Sequence, residues 1–400
     1  MVKRFGVTIS VLLCVMAFTG FFFIKGSIPD EVKVVRGKKQ EEIRLNLPMV
    51  EQEAVEAGGR EESNIPKGAV KISCSLLGVI PIKDIEVCEV EEKSVIPGGE
   101  AIGIYMKTTG ILVVGTGTVS GMDGLDYEPA LNVVQSGDYI MTINGRQIQS
   151  KEELIDIVNH SEGKEVVLDV QRNGEPTSLK LVPVHTGKEE YKLGIWVRDD
   201  TQGIGTLTYV DQDKKFGALG HGISDVDTGG LLNVSGGTLY QTDILSVTKG
   251  ERGVPGELSG VIHYRTEEEL GEISSNTNEG IFGTLNEQMA GTVSGTEPVE
   301  IAYKQEVEEG PATIYCSVDG EVKEYQVEIE KIYLNSGDAN KSMVIRVTDP
   351  VLLEKTGGIV QGMSGSPILQ NGKLIGAVTH VFIQDSTSGY GIFIENMLEH

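Results

Sequence analysis

Gly362-Met363-Ser364-Gly365-Ser366-Pro367, followed by the apolar run Leu374-Ile375-Gly376-Ala377-Val378, decides how this chain is read. A Ser held among small residues, with Gly two positions before it, suits acyl-transfer chemistry on a β-barrel. The Gly lets the backbone turn until its own N–H and that of Ser364 converge on one point. There a carbonyl oxygen can become an oxyanion. The flanking glycines leave room for an incoming backbone, and the apolar run reads as a buried strand behind the loop. A turn can also carry Ser simply because Ser suits turns, so the motif needs a base.

Sites of this kind usually take their base from His. Of the six histidines, His221 stands between two glycines in Phe216-Gly217-Ala218-Leu219-Gly220-His221-Gly222-Ile223-Ser224-Asp225, at the end of a small-residue strand. No neighbouring side chain crowds a ligand there. His160 and His185 belong to or border another domain, His263 lies in a polar stretch, and His400 is the last residue. His380, on the strand after the Ser loop, reads as structural. The third member of such a site is a buried carboxylate that holds the imidazole tautomer. With 59 acidic residues, composition does not select it. Asp349 ends the β-branched run Val344-Ile345-Arg346-Val347-Thr348, while Asp225 and Asp227 compete by closeness to His221.

His221, Asp349 in Val347-Thr348-Asp349-Pro350 and Ser364 together resemble the triad of the stage IV sporulation protein B peptidases. These are serine peptidases of endospore-forming bacteria. The likeness covers nearly the whole chain, including Gly203-Ile204-Gly205-Thr206-Leu207-Thr208-Tyr209 and Gly389-Tyr390-Gly391-Ile392-Phe393-Ile394-Glu395. It implies a mainly β chain with a chymotrypsin-like double β-barrel: Ser364 attacks, His221 carries the proton and Asp349 orients His221. The N–H groups of Gly362 and Ser364 form the oxyanion hole. Met363 stands where chymotrypsin-like enzymes carry Asp, so activation through that Asp is not implied. The resemblance further implies export, and cleavage of a membrane-bound regulatory protein between two sporulation membranes. That cut would release an intramembrane protease that activates a late sigma factor.

Four hundred residues leave room for two or three domains. An apolar content of 39% with only 6% aromatic, and 51 glycines, points to β-rich, turn-rich domains. A net charge of −25 argues against nucleic acid or an anionic membrane surface as the main partner. No metal-ligand spacing such as Cys-x-x-Cys is present, and no cofactor or metal is expected. Cys74 and Cys88 flank a Pro-containing turn, either paired or as free thiols.

Residues 1–26 read as a cytoplasmic tip and an uncleaved transmembrane signal anchor. Gly6 to Ile24 is a 19-residue uncharged run behind Lys3 and Arg4, without a small-x-small cleavage site. Lys25, Lys33, Arg36, Lys38 and Lys39 crowd its far flank, against the positive-inside rule. Long C-terminal domains translocate regardless of such counts, so the expected body is extracytoplasmic. Residues 27–68 have the composition of an acidic linker, disordered from about Glu31 to Lys67. The enzyme is expected to cut itself there and release its body from the anchor.

Residues 69–97 read as a short β leader and 98–186 as a PDZ domain. The latter rests on Gly137-Asp138-Tyr139-Ile140-Met141-Thr142-Ile143-Asn144-Gly145, whose last two residues suit a type I′ turn. Ser150 then opens a helix in capping-box form. Gly103, Ile104, Tyr105 and Met106 are expected to capture a peptide ligand by strand addition. Residues 187–400 form the peptidase domain. The rival expectation is a non-catalytic PDZ and β-barrel scaffold that presents or inhibits partner proteins.

Overall fold

The computed structural model describes residues 2–37, 45, 49–56, 70–287 and 297–400. Helix α1 (Val2–Ser27) opens the chain. Among the described residues no helix is long and apolar enough to cross a membrane.

Strands β1 (Glu31–Val35), β2 (Val50–Glu56), β3 (Val70–Leu76) and β4 (Ile80–Val90) make a four-stranded sheet in the order β1-β4-β3-β2. The expectation of disorder from Glu31 to Lys67 is corrected at β1 and β2. In β1 the sequence alternates, and Val32 and Val34 turn into a small core with Ile72, Ile85 and Val87. Apolar residues at every second position let a charged segment fold as a strand. The other parts of that expected linker, residues 38–44, 46–48 and 57–67, lie outside the described residues. Cys74 and Cys88 are free thiols.

After β5 (Ser94–Pro97), β6 (Ala101–Thr116) runs for 16 residues. Short strands β7 (Val119–Ser120) and β8 (Asp126–Tyr127) pair with each other. Then come β9 (Tyr139–Ile143), β10 (Arg146–Gln147), α2 (Lys151–His160), β11 (Val166–Arg172) and β12 (Glu175–Leu181). Ser150 caps α2 by accepting from the Glu153 N–H, and Leu154 and Val158 are its buried residues. Asn144 and Gly145 have φ of 53° and 75°, the left-handed pair that a type I′ turn requires. A hairpin of β13 (Val184–Gly187) and β14 (Glu190–Lys192) leads to β15 (Ile195–Val210), also 16 residues long.

β16 (Lys215–Ala218), β17 (Val234–Thr248), β18 (Glu257–Ile262), β19 (Glu269–Thr277) and β20 (Gly280–Leu285) follow. Their pairing with β6 and β15 closes a ring, β6-β17-β19-β20-β16-β15 and back to β6. After β21 (Val299–Glu300), a second six-stranded barrel forms. Its strands are β22 (Gly310–Cys316), β23 (Lys323–Ile332), β24 (Met343–Val347), β25 (Pro367–Gln370), β26 (Lys373–Phe382) and β27 (Asp385–Phe393). Helix α3 (Pro350–Thr356) sits between β24 and β25, and α4 (Ile394–Met397) closes the chain.

β6 crosses the expected domain boundary. Its second half supplies Ile111 and Val113 to the core around α2, while its first half supplies Ile102, Ile104 and Met106 to the first barrel. Gly103 lies opposite Ile204 on one side and Tyr240 on the other. Both edges of the strand are occupied, so residues 103–106 have no free edge for a peptide. That expectation is corrected: they lie within a barrel strand, with Ile104 and Met106 in its core, and the barrel begins before residue 187.

Ile102, Ile104 and Met106 are each 1% exposed or less. Burying such side chains stabilises by about 1.5–3 kcal/mol each, and whole domains hold only about 5–15 kcal/mol. A fragment of residues 187–400 should therefore show no cooperative thermal transition by circular dichroism, whereas 94–400 should melt cooperatively. A cooperative melt of 187–400 would refute the shared strand.

Candidate active site

Between α3 and β25 the chain turns through the Ser364 loop. Met363 anchors it, with a side chain fully buried in the second-barrel core. Gly365 has a φ of +97°, and a Cβ there would lie 2.1 Å from the Thr206 carbonyl oxygen, so only Gly fits. β15 laces the loop from one side. The Thr206 N–H donates to Ser364 O at 3.0 Å, Thr206 Oγ1 to Gly362 O at 2.8 Å, and Thr208 Oγ1 to Gly365 O at 2.8 Å. On the other side the Gly365 N–H donates to Val378 O of β26 at 2.8 Å. The N–H groups of Gly362 and Ser364 meet no acceptor among the described residues.

His221 stands just past the end of β16. Its Nδ1 lies 2.9 Å from Gly222 O. A carbonyl oxygen can only accept, so Nδ1 carries the hydrogen and Nε2 is left as the basic nitrogen. Gly222 is what lets the backbone come this close: a Cβ there would sit 2.3 Å from the Thr277 carbonyl oxygen. Its N–H donates to Asn278 O at 3.1 Å, and Asn340 Nδ2 donates to the same oxygen at 2.9 Å. Asn340 O in turn accepts from Thr379 Oγ1 at 2.7 Å, which ties the His221 loop to β26.

Burial holds the His221 pKa below its ordinary 6.5, against a smaller opposing effect of the Gly222 carbonyl. The His380 ring lies against it, with centroids 4.7 Å apart and planes inclined by 33°. His380 is exposed on its outer side, but desolvation of its packed face first, and the neighbouring His221 second, push it down to about 4. Two close imidazoles cannot both carry charge cheaply, so the pair is neutral near neutral pH.

Ser364, His221 and His380 line one cleft of about 550 Å³ between the two barrels. Within it, Ser364 Oγ donates to Thr379 O at 2.8 Å rather than to an imidazole. No group of three or more metal-ligating side chains occurs among the described residues.

Asp349 is not brought to this cleft. It is the N-cap of α3, and its Oδ1 accepts from the N–H groups of Val351 at 2.9 Å and Leu352 at 3.0 Å. The register of β24 on β27, and of β27 on β26, carries residue 349 away from the site. In this structure Asp349 serves as a helix cap, and His221 Nδ1, the atom it is expected to orient, is bonded to Gly222 O instead. Asp225 and Asp227 are committed elsewhere, both to Arg198. His380 is the site residue that sequence reading sets aside. Its one signal is its position beside Thr379 on the strand that backs the Ser loop.

The unit around α2 carries a second concave site. A groove of about 640 Å³ runs between α2 and the segment from β14 into β15, lined by Leu154, Val158, Leu193, Ile195 and Val197. From Ile195 to Arg198, β15 pairs with β6 on one edge, and no strand covers the other edge among the described residues.

Over residues 126–182 the chain matches the PDZ domain family. Among solved structures, the PDZ domain of the SdrC-like protein from Listeria monocytogenes is 23% identical, with 22% of this chain and 87% of that chain covered. Its TM-score is 0.18, too low to carry weight. Residues 189–398, more than half of the chain, match the SpoIVB peptidase S55 family. Ser364 and the half-buried, neutral His221, which share one cleft, lie inside that match, and the chain belongs to the SpoIVB peptidase S55 family.

Proposed function

We propose that this protein is a serine endopeptidase in which Ser364 attacks the scissile carbonyl and His221 Nε2 takes its proton. The observation that carries the reading is the convergence of three things in one cleft: Ser364, a neutral imidazole with a defined basic nitrogen, and two backbone N–H groups without acceptors. The N–H groups of Gly362 and Ser364 are the proposed oxyanion hole, and removing one such donor typically costs about 3–4 kcal/mol of barrier. The Gly222 carbonyl does for the tautomer what a carboxylate does in the usual triad. Before attack the Ser364 hydroxyl must leave the Thr379 carbonyl, a rotation about one side-chain bond.

The groove beside α2 is the proposed seat of a peptide ligand, added as a strand on the open edge of β15. The family's sporulation name supports a membrane-bound regulatory protein as substrate, cleaved to trigger intramembrane proteolysis and late sigma-factor activation. The uncharged run Gly6 to Ile24 is the proposed anchor, with the body outside the cytoplasm. Self-cleavage is proposed between the anchor and the PDZ unit but outside β1 and β2. Their backbones are engaged in a sheet and cannot enter a cleft extended.

A fluorophosphonate probe should label the wild-type chain and fail on Ser364→Ala. N-terminal sequencing of the same two proteins should find new termini ahead of β3 only where Ser364 is intact. An unlabelled wild type would favour the scaffold reading, for which the Ser364–Thr379 bond is the supporting observation.

Asp349→Asn should keep its helix cap, since Asn caps as well as Asp, and turnover should stay within a few-fold of wild type. A triad carboxylate would instead lose roughly 10⁴ in kcat. Kinetics on this one variant separate the two roles.

The acid limb of kcat/KM should fall below pH 6.5. The base works only when unprotonated, and burial disfavours the imidazolium, so activity persists to lower pH than an ordinary His allows. A limb at or above 6.5 in the measured profile would assign the base elsewhere.

A further inference from the structure

The wall of the cleft has a chemical character that the proposed reaction does not require. Around Ser364 it is built from Ile204, Ile223, Pro255, Ile359, Val381 and Ile383. Its uncharged polar members are Thr201, Gln202, Gln361 and Thr379, and its only titratable side chains are His221 and His380. The chain carries 59 acidic and 34 basic residues, yet none of the cleft-lining residues is Asp, Glu, Lys or Arg. A substrate Lys or Arg side chain entering here would lose water and meet no carboxylate. An Asp or Glu would meet no cation in the lining; the charges nearest His380, Asp338 and Lys341, lie outside it and are paired with each other. Burying an unpaired charge is strongly unfavourable, whereas an aliphatic side chain gains from leaving water.

We propose that the cleft selects substrates with an uncharged aliphatic side chain, of the Leu, Ile or Val kind, on the residue whose carbonyl Ser364 attacks. The α-carbon of that residue is bonded to the attacked carbon, so its side chain is the one that must lie against this wall. Selection here is by exclusion of charge more than by fit, because a hydrophobic pocket separates aliphatic side chains from one another only weakly. The inference rests on the serine peptidase reading above and names the substrate class for that site.

The experiment measures protection of Ser364 from a fluorophosphonate probe by short peptide aldehydes ending in leucinal, argininal or aspartal, on the full chain. Leucinal should protect at concentrations at least ten-fold lower than either charged aldehyde. Ile383 lies at the exposed rim, 59% accessible, so Ile383→Asp should be tolerated by the fold. That variant should narrow the gap between leucinal and argininal several-fold while leaving aspartal the poorest. Equal or better protection by argininal or aspartal in the wild type overturns the proposal while leaving the nucleophile in place. An unchanged leucinal-to-argininal ratio in Ile383→Asp overturns the part assigned to this wall. Failure of the probe to label Ser364 at all removes the peptidase reading, and this inference with it.

Discussion

The pairing of β6 with β15 is the constraint on which the rest of the molecule depends. Two strands of 16 residues run antiparallel, matched from Ile195 opposite Thr116 to Thr206 opposite Ala101. One end of the pair belongs to the PDZ unit and the other closes the first barrel. The far end of β15 then hands Thr206 and Thr208 to the Ser364 loop, where three hydrogen bonds fix its carbonyls. A strand cannot shift by one residue without turning its buried face to water. The ladder therefore holds the groove beside α2 and the Ser364 loop in one register.

The proposed active site uses burial and a backbone carbonyl where a more familiar arrangement uses a carboxylate. His221 is kept neutral by its surroundings and kept in one tautomer by the carbonyl of the next residue. That device needs a backbone that turns back on its own side chain, and the glycine after the histidine supplies it. Desolvation lowers both His221 and His380, and the wall around Ser364 is built largely of aliphatic side chains. The proposed acid–base behaviour and side-chain preference thus share one physical origin, the largely aliphatic lining of the cleft between the barrels.

The misplaced residues show where reading a sequence runs short. Asp349 looks like an orienting carboxylate because it ends a β-branched run, but Pro350 after it is equally the mark of a helix start, with Asp as N-cap. Residues 103–106 have the look of a peptide-capturing strand, and they are a strand. What is invisible in one dimension is that β15 and β17 already occupy both its edges. β1 reads as charged linker because alternation of Val with Lys and Glu over a few residues is a weak signal until a partner sheet covers one face.

By itself the sequence determined the family, the β-rich class, the PDZ unit around Asp138 to Gly145, and the glycine-rich loops that carry Ser364 and His221. Those features are local: turn chemistry, alternation and close backbone approach are written in adjacent residues. Only the tertiary structure decided that β6 serves two units, that Asp349 caps a helix, and that the His380 ring packs against His221. It also left an open strand edge and an apolar groove at β15 rather than at residues 103–106. Each of these turns on which strand edge is already filled and which side chain is already bonded. Those are properties of segments up to about 160 residues apart, brought together by two closed barrels.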